Sequence, residues 1–545
     1  MTASVFSAEH LLFSPAIPNS DAIPVVFAFP NEYTVGITSL GYQVIWAMLA
    51  QRQDLAVGRL FTDVTDNLPS NPELMGFSVS WELDYINILN LLEQQHIPIR
   101  SCDRTHHHPL IFGGGPVLTA NPEPFADFFD IILLGDGEDL IPTFIDTYAS
   151  VRGADRLEQL KALAQVPGIY IPSFYQPHYE HPTGPIQNIE PASGVPAIVK
   201  KQTYRGNVLL ASTVVTEKAA WENIFMVEVV RSCPEMCRFC LASYLTLPFR
   251  TASLDESLVP AIERGLTVTK RLGLLGASVT QHPGFEDLLD HINQPAYDDV
   301  RLSIASVRTN TVNEKLAKTL VNHGTKSITI AVESGSERIR ETINKKLETA
   351  DIEKAIVNAK AGGLSSVKLY GMAGIPGETE TDLEATATMM LQLKKAAKGL
   401  RLTLGCSTFV PKAHTPFQWY GVNSKAEKRL KFLQKQLRSH GIDFRPESYN
   451  WSVIQTLISR GDRRIGKLLE LTRNYGDSLG SYRRAFKELK GQLPPLDFYV
   501  HADWPLEQTL PWEHLEGPLP KATLVKHLQT AETHMDQPTL RSFVA

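Results

Sequence analysis

Three cysteines fall within one short stretch of the sequence, Glu228-Val-Val-Arg-Ser-Cys233-Pro-Glu-Met-Cys237-Arg-Phe-Cys240. Because the whole chain of 545 residues has only five cysteines, this CxxxCxxC spacing concentrates soft thiolate ligands at one place. A structural zinc site needs four ligands, commonly from paired CxxC or HxxxH units, and no second cysteine pair is present. No histidine lies between His181 and His282. An iron–sulfur cube usually takes one cysteine for each iron, so three cysteines would leave one iron open to an exchangeable ligand.

This motif, with the aromatic Phe239 before its last cysteine, resembles the motif of the radical S-adenosylmethionine (SAM) superfamily. The resemblance implies a 4Fe-4S cluster on Cys233, Cys237 and Cys240, with the open iron chelated by the amino and carboxylate groups of SAM. In that family, one electron from the reduced cluster cleaves the sulfonium and yields a 5′-deoxyadenosyl radical. The alternative is a zinc knuckle or a chance cluster, because short motifs discriminate weakly when taken alone.

The composition predicts an ordinary globular protein of about three domains. The net charge of −6 gives no overall electrostatic signature for binding nucleic acid or an anionic membrane. Five cysteines, three of them clustered, argue against a secreted disulfide framework. The first residues lack a basic region followed by an apolar core, and no apolar run reaches the length of about 18 residues that spans a bilayer. We therefore expect no signal peptide, no membrane span and a cytoplasmic location.

Residues 1–20 are predicted to be a loose lead-in, and residues 21–150 to alternate strands with helices. The predicted strands are Ile23–Pro30, Leu74–Ser80, Pro109–Pro116 and Asp130–Glu138. Helices are predicted through Tyr42–Leu49 and Tyr85–Leu92. This alternation predicts a doubly wound parallel sheet in an α/β protein. Ligands of such sheets bind beyond the carboxyl ends of the strands, where the glycine turns of this sequence lie.

The N-terminal region resembles the Rossmann-like cobalamin-binding domain that precedes the barrel in many radical SAM enzymes. The residues that stand where that family holds the nucleotide tail of cobalamin are Ser78, Gly113, Gly114, Gly115, Gly135 and Gly137. The DxHxxG loop that supplies a histidine to cobalt is absent, but many radical SAM enzymes of this class bind cobalamin without it. The alternative is that these glycines form tight βα turns in a domain that binds no ligand.

Three further features of the N-terminal half predict no chemistry. His106-His107-His108 are adjacent in a polar loop and point in different directions, so we expect a solvated loop. Cys102 has no partner nearby and is expected to be a lone thiol. Residues 151–220 are predicted to be a connector with one helix, Leu157–Leu163.

Residues 221–445 again alternate strands with helices. The strands are predicted at Phe225–Val230, Leu272–Val279, Val300–Ser306, Ser327–Val332, Ser366–Gly371 and Leu400–Cys406. Six strand–helix units fit a partial (β/α)6 barrel, which is the core of the radical SAM family. The cysteine loop leaves the carboxyl end of the first of these strands, where barrel enzymes place their chemistry.

The resemblance also implies roles for residues at the strand ends. Ser278 lies where the family has a GGE motif, and is suited to accept from the amino group of SAM. Arg308 is suited to pair with the SAM carboxylate through its planar fork. Glu333 and Ser334 belong to an ESGS sequence, in which the glutamate accepts from the ribose hydroxyls and the serine reaches the carboxylate.

The fifth strand is followed by Gly374-Ile-Pro376-Gly377-Glu-Thr379, which is very similar to the GIPGET turn of the family. There the backbone amides hold the adenine edge. The sixth strand continues into Phe409–Phe417, a segment also found in these enzymes. Together, in this order, the motifs are far more specific than any one of them alone.

Residues 446–545 are predicted to be a helical and irregular region, with helices at Trp451–Ser459, Ile465–Asn474 and Lys521–Thr533. From Arg460 to Lys490 the sequence is locally basic. A solvated helix face is the commoner explanation of such charge, and a contact with phosphate or RNA is the alternative.

The order of these parts resembles a little-characterised bacterial family of radical SAM proteins with a cobalamin-binding-like domain, over roughly residues 21–520. The sequence therefore predicts a radical SAM enzyme with an unidentified substrate, an electron donor such as flavodoxin or ferredoxin, and cobalamin as a possible further cofactor for methyl transfer. One alternative is a non-enzymatic iron–sulfur or metal-binding protein. Another is an RNA-modifying methylthiotransferase, but that family has a second set of three cysteines upstream, and only Cys102 lies upstream here.

Overall fold

The computed structural model describes residues 5–305 and 307–535. Residues 1–4, residues 536–545 and Ser306, the last residue of one predicted strand, lie outside the described residues. The strands are β1 (Glu9–Leu11), β2 (Ile23–Ala28), β3 (Leu55–Leu60), β4 (Thr65–Asp66), β5 (Leu74–Ser78), β6 (Leu110–Gly114), β7 (Ile131–Leu133), β8 (Ile169–Tyr170), β9 (Tyr175–Tyr179), β10 (Ile186–Pro191), β11 (Val199–Lys200), β12 (Val214–Thr216), β13 (Ile224–Arg231), β14 (Arg250–Thr251), β15 (Arg271–Gly276), β16 (Arg301–Ile304), β17 (Ser327–Glu333), β18 (Ser366–Ala373), β19 (Arg401–Thr408), β20 (Asp443–Pro446) and β21 (Leu515–Glu516).

The helices are α1 (Tyr33–Gly36), α2 (Leu40–Ala50), α3 (Tyr85–Gln94), α4 (Pro116–Ala120), α5 (Gly137–Ser150), α6 (Arg156–Leu163), α7 (Leu241–Tyr244), α8 (Val259–Leu266), α9 (Phe285–Ile292), α10 (Glu314–Asn322), α11 (Glu337–Thr342), α12 (Thr349–Ala361), α13 (Glu380–Ala396), α14 (Ala426–Arg438), α15 (Tyr449–Ser459), α16 (Ile465–Tyr475), α17 (Leu479–Glu488), α18 (Leu496–Val500) and α19 (Lys521–Glu532). Within the described ranges, none of these helices combines the length and the apolar composition that a bilayer crossing requires. The chain is a mixed α/β protein.

The first sheet has the strand order β4-β3-β2-β5-β6-β7-β8. Its five central strands, from β3 to β7, run parallel, as the alternation of strands and helices predicts. All four predicted strands are present, although the fourth is limited to Ile131–Leu133. The apolar pattern does not predict β3, because Gly58 and Arg59 interrupt it. The order of the strands reverses between β2 and β5, which is where open α/β sheets leave a crevice for ligands.

The lead-in is not loose where the structure describes it. β1 pairs antiparallel with β12, so it is tied to the segment that was predicted to be a connector. Both carboxylate oxygens of Glu9 accept from the guanidinium of Arg59 in β3, at 2.8 and 2.9 Å. Both side chains are 3% exposed, and Arg59 also bonds Asp66. An ionised side chain that is buried this fully is stable only beside an opposite charge. The ion pair between Glu9 and Arg59 therefore fixes the N-terminal segment against β3.

Two four-stranded sheets follow, with the orders β14-β13-β15-β16 and β17-β18-β19-β20. The six predicted strands are all present, and neighbouring strands among them run parallel within each sheet. A bridge between Val307 and Ile330 connects the two sheets. A further strand, β20, pairs parallel with β19. Its apolar pattern is too weak to predict a strand, because Phe444 is its one buried residue. The carboxyl ends of the parallel strands thus meet along one edge, which carries the cysteine loop.

The C-terminal region packs against both halves of the chain, and its arginines do not form a simple solvated face. Arg460 is fully buried, lies 3.7 Å from the ring centroid of Trp504 and donates to backbone carbonyls. Arg463 reaches back to Glu123 beside the first sheet, at 3.1 Å. Arg483 and Arg484 remain exposed on α17. Part of the basic character is therefore structural, because it joins the C-terminal helices to the rest of the protein.

We expect Glu9→Ala to lower the free energy of unfolding by about 3 kcal/mol, the lower end of the cost of breaking a buried ion pair, because Asp66 still pairs with Arg59. The matched control is Glu427→Ala, which removes an exposed helical ion pair with Lys431 and should cost less than about 0.5 kcal/mol. Urea denaturation of the three proteins measures both values. Equal stability of Glu9→Ala and the wild type would contradict the structural role of the lead-in.

Candidate functional site

The loop from Ser232 to Cys240 carries its three cysteines into one cavity of about 270 Å³, here called the cysteine cavity. The loop follows directly on β13, so the cavity lies at the carboxyl edge of the strands. Ser232 and Met236 have φ values of 70° and 56°. Residues other than glycine rarely adopt this left-handed conformation, which costs about 1–3 kcal/mol and is typical of functional loops.

A second segment, Glu341–Lys346 at the end of α11, holds this loop and is here called the clamp. The side-chain amide of Asn344 donates to the backbone carbonyls of Glu235 and Met236, at 3.0 and 2.8 Å. Arg238 returns three hydrogen bonds to backbone carbonyls of the clamp, one from its N–H and two from its guanidinium. Hydrogen bonds to the clamp therefore fix the conformation of the cysteine loop.

The C-terminal helix α19 is linked to the loop through Tyr244. Tyr244, at the end of α7, donates its hydroxyl to the carbonyl of Met236 at 3.2 Å. The same hydroxyl lies 2.9 Å from Nδ1 of His527 in α19. Arg338 in α11 donates to the carbonyl of His534, so the end of the described chain is tied down beside the clamp.

Glu333 and Lys345 form an ion pair within the cysteine cavity. Glu333 ends β17 with a φ of 64°, so its backbone has the strained left-handed conformation. Its Oε1 lies 2.9 Å from Nζ of Lys345, which belongs to the clamp, and the two side chains are 10% and 12% exposed. A carboxylate and a cation therefore line the same cavity as the cysteines from largely buried positions, where charges act strongly.

Arg308 forms a second ion pair on the same wall. Its guanidinium lies 3.0 Å from Glu235 of the cysteine loop and donates to the carbonyls of Lys345 and Lys346. The Nε atom of Arg308 is buried and has no hydrogen-bond partner among the described residues. A buried donor without a partner is costly and indicates a position where a ligand acceptor fits.

Burial changes the protonation of the groups in this cavity. It raises the pKa of Cys237 to about 12, although the ammonium of Lys345 opposes this change. Burial also raises the pKa of Cys240. Burial disfavours the charged form of Lys345, but Glu333 and the sulfur of Cys237 outweigh it and raise the pKa of Lys345 above its ordinary value. The free thiols of Cys237 and Cys240 are therefore held in the protonated form, and metal binding would have to displace those protons.

The structure brings four of the predicted SAM-contacting residues to the cysteine cavity, namely Phe239, Ser278, Arg308 and Glu333. Ser278 donates its hydroxyl to the side-chain carbonyl of Gln281 at 2.5 Å. Ser334 does not line the cavity. Its side chain is buried, and its hydroxyl accepts from the backbone N–H of Ser336.

Gly374, Pro376 and Gly377 form a tight turn that does not line the cysteine cavity. The turn is closed by its own Glu378, whose carboxylate accepts from the N–H of Gly374 at 2.7 Å and from Arg429 at 2.8 Å. Burial raises the pKa of Glu378 to about 7, against the effect of Arg429. The N–H of Gly374 is therefore already used within the protein, so it is not free to hold an adenine edge in this arrangement.

Three residues of this cavity were not predicted from the sequence, namely Glu235, Lys345 and Tyr370. Lys345 lies just after α11, the helix that follows the ESGS sequence, and no spacing rule connects it to the cysteines. Tyr370 lies in β18 and is 45% exposed, with Nζ of Lys368 at 4.6 Å from its ring centroid. The available signal was the alternation Val367-Lys368-Leu369-Tyr370, which places Lys368 and Tyr370 on the opposite face of the strand from the buried Val367 and Leu369.

A second cavity, of about 350 Å³, lies at the crevice of the first sheet and is here called the glycine cavity. Of the residues predicted to hold cobalamin, the structure places five in its walls: Ser78, Gly114, Gly115, Gly135 and Gly137. Gly113 lies elsewhere, because a Cβ atom there would meet Phe129 at 2.6 Å within the core. Gly115 has a φ of 115°, and a Cβ atom there would lie 2.4 Å from the carbonyl oxygen of Val79, so only glycine fits this turn.

The two cavities share a wall. The helix α7 follows Cys240, and Ala242 and Ser243 line the cysteine cavity, while Leu245 and Thr246 line the glycine cavity. Arg231, just before the cysteine loop, lies in the glycine cavity and pairs with Glu138 at 2.7 Å and with Glu228 at the same distance. The ion pair of Arg231 with Glu138 therefore joins α5 to β13, the strand that leads into the cysteine loop.

Comparison with protein families decides the class of this site. The family model "Radical SAM superfamily" matches residues 227–390, and the model "Radical SAM proteins, N-terminal" matches residues 65–172. The protein is a radical SAM enzyme. The family uses a 4Fe-4S cluster and SAM, and the radical SAM match covers the cysteine loop and most of the strand ends that line the cysteine cavity.

Two curated relatives and one solved structure are similar to this radical SAM enzyme. An uncharacterised protein of Methanocaldococcus jannaschii is 29% identical over 83% of this chain and 91% of its own length. An uncharacterised methyltransferase of Pyrococcus horikoshii is 23% identical over 65% of this chain and 73% of its own length. The radical SAM methyltransferase TsrM of Kitasatospora setae, solved with cobalamin and a 4Fe-4S cluster, has a TM-score of 0.50 over 73% of this chain and 74% of its own, at 14% identity, which indicates a shared fold.

The residues of the cysteine cavity fit a 4Fe-4S cluster. Three sulfur ligands line one cavity, and the unpartnered Nε of Arg308 stands on the same wall. Within residues 5–305 and 307–535, no three His, Cys, Asp or Glu side chains are close enough to hold one metal ion. In a cube each cysteine binds a different iron, so the sulfurs stand apart around the cluster.

We expect the anaerobically reconstituted protein to contain about four irons and four sulfides per chain. Changing Cys233, Cys237 and Cys240 together to Ala should abolish the cluster, because no ligand would remain on the loop. The matched control is Cys102→Ala, which removes an exposed cysteine far from the cavity and should leave the iron content unchanged. Iron and sulfide assays measure these outcomes. Stoichiometric zinc without uptake of iron would contradict the assignment.

Proposed function

We propose that this radical SAM enzyme is a cobalamin-dependent methyltransferase, with the cluster and SAM in the cysteine cavity and cobalamin in the glycine cavity. The observation that carries the proposal is the shared wall: α7 faces the cysteine cavity, and the residues that follow it face the glycine cavity. Two cofactors held there would stand on either side of one turn of helix. A methyl group bound on one side would thus be close to a radical generated on the other.

A 4Fe-4S cluster with SAM on its open iron supplies a 5′-deoxyadenosyl radical by one-electron cleavage of the sulfonium. The three cysteines hold the cluster, and the clamp keeps their loop in place. Arg308 is suited to bind the SAM carboxylate through its unpartnered Nε. Ser278 is suited to accept a hydrogen bond from the SAM amino group. Glu333 is suited to the ribose hydroxyls, because its carboxylate faces the cavity at a strained strand end.

The glycine cavity is suited to the nucleotide tail of cobalamin. Its walls are mostly apolar, with Phe27, Phe77 and Phe112 among them, and such walls bury a flat aromatic base well. Hydroxyls of Ser78 and Ser80 offer hydrogen bonds at the edge. The protein supplies no DxHxxG histidine, so cobalt would have no imidazole ligand from that loop. The uncharacterised methyltransferase relative supports methyl transfer as the reaction class.

We further propose that β13 and β15–β19, with the helices that follow them, form the partial (β/α)6 barrel of the family. Residues 21–150 then form the cobalamin-binding domain, residues 151–220 the connector, residues 221–445 the barrel and residues 446–545 a cover. The open side of the barrel carries Tyr370 and Lys368, and we place the unidentified substrate there. A reduced flavodoxin or ferredoxin would supply the electron.

An RNA substrate is the second candidate, since exposed Arg483 and Arg484 remain available for phosphate. Arg460 and Arg463 are used within the protein, which removes much of the basic patch that suggested RNA.

The first measurement is product analysis after anaerobic reconstitution. Both 5′-deoxyadenosine and S-adenosylhomocysteine are expected. The first product without the second would leave a radical SAM enzyme but contradict methyl transfer.

We expect Glu333→Ala to weaken SAM binding about ten- to hundred-fold without loss of the cluster, because one charge-assisted hydrogen bond of about 1.5–3 kcal/mol is lost. Titration of the reconstituted protein with SAM measures the affinity. The matched control is the neighbouring Ser334→Ala, which changes a buried side chain outside the cavity and should leave the affinity unchanged. An unaltered affinity in Glu333→Ala would remove this residue from the SAM site.

We expect Gly114→Val to block uptake of cobalamin while the iron content stays at the wild-type level. A Cβ atom at Gly114 would meet only atoms of Leu133, at 3.6 and 3.8 Å, so the strand should tolerate a side chain there. Because Gly114 lines the glycine cavity, the valine side chain would occupy space that cobalamin needs. Gly153→Val is the control, because Gly153 has open space around it and lies outside both cavities. Absorption spectroscopy measures bound cobalamin.

The Gly114→Val experiment has two contrary outcomes with different meanings. If the wild type takes up no cobalamin while its cluster forms, the methyl-transfer proposal fails. If the wild type and Gly114→Val bind cobalamin equally, the cofactor is right and its placement in the glycine cavity is wrong.

A further inference from the structure

We propose that the Lys345–Glu333 ion pair sets the reduction potential of the iron–sulfur cluster, with Lys345 raising the potential and Glu333 lowering it. Lys345 would thus act on the cluster through Cys237 rather than by binding iron. The inference rests on the proposed function, since it requires a cluster on the three cysteines. It assigns a role to a residue of the clamp that no motif in the sequence indicates.

The geometry brings both charges to the cluster ligands. Lys345, Glu333 and Cys237 all line the cysteine cavity. The ammonium and the carboxylate are 2.9 Å apart, and their side chains are 12% and 10% exposed. Because solvent screens such charges poorly, each of them acts on its neighbours much more strongly than a surface charge does.

The two charges have opposite signs and line the same cavity as the three cysteines. Reduction of a cluster adds one negative charge beside the cysteine sulfurs, which a nearby cation stabilises and a nearby carboxylate destabilises. Cluster potentials are known to depend on local charge, hydrogen bonds to sulfur and exposure. Loss of the Lys345 charge should therefore lower the potential, and loss of the Glu333 charge should raise it.

The other charges around the cavity provide the controls. Arg308 is balanced by Glu235 at 3.0 Å. Lys346, the next residue after Lys345, is 54% exposed and lies 3.8 Å from Glu235. Removing the charge of Lys346 is the same chemical change one residue away, but in a position where water screens it.

A purely structural role of the ion pair predicts a different pattern. If the pair only fixed the loop, removing either partner would disturb the cluster in the same way. If the charges themselves act, the two neutral variants shift the potential in opposite directions, and the double variant lies between them. The signs of the two shifts therefore separate the two roles.

The experiment is a redox titration of the full-length protein, reconstituted anaerobically and without SAM, in which electron paramagnetic resonance follows the reduced cluster. The variants are Lys345→Met, Glu333→Gln, the double variant, Lys345→Arg and the control Lys346→Met. We expect a lower potential for Lys345→Met, a higher one for Glu333→Gln, and an intermediate one for the double variant. Lys345→Arg, which keeps the charge, and Lys346→Met should stay close to the wild type.

Equal potentials of the wild type and both single variants, or shifts in the same direction, would overturn the inference. If Lys345→Met fails to hold a cluster, the potentials of Glu333→Gln and Lys345→Arg test the inference instead. Glu333→Gln must then raise the potential while Lys345→Arg keeps the wild-type value, and Glu333→Gln at the wild-type potential overturns the inference. Failure of the wild type itself to form a cluster would instead refute the proposed function, so the two failures are distinct.

Discussion

The hydrogen bonds between the clamp and the cysteine loop are the constraint on which the site depends. Asn344 and Arg238 fix the loop from both directions, and other groups of the same short segment reach Glu333 and Arg308. Residues from three different strands are thereby brought to one cavity by a single segment of chain. Such a shell positions ligands before any cofactor arrives, which reduces the ordering that binding would otherwise require.

The clamp also explains why the cysteine cavity accommodates several charged side chains. Glu333 and Glu235 each have a cation at about hydrogen-bond distance, so no charge is left alone in the low-dielectric wall. The glycine cavity follows the same rule at its border, where Arg231 is surrounded by carboxylates of both halves of the chain. Buried ion pairs contribute little net stability, but they specify geometry when every member is satisfied.

The sequence predicted the parallel sheets well, because apolar periodicity is a local signal. All ten predicted strands in the two halves are present, and Cys233, Cys237, Cys240, Ser278, Arg308 and Glu333 share one cavity. The strands β3 and β20 escaped prediction because charged or turn-forming residues interrupt them. Lys345 and Asn344 escaped because their role depends on a contact across the fold. Ser334 and the turn at Gly374 carry family-like motifs, yet the structure directs their polar groups to neighbouring residues of the protein.

The position of α19 has a consequence for how the protein is made. The cysteine loop leaves the ribosome long before His527 and His534, which reach Tyr244 and Arg338 beside it. Until α19 has been synthesised, Tyr244 lacks its contact with His527 and Arg338 lacks its bond to the carbonyl of His534. Because the N-terminal parts of a chain fold first during synthesis, these two contacts beside the cysteine loop form late.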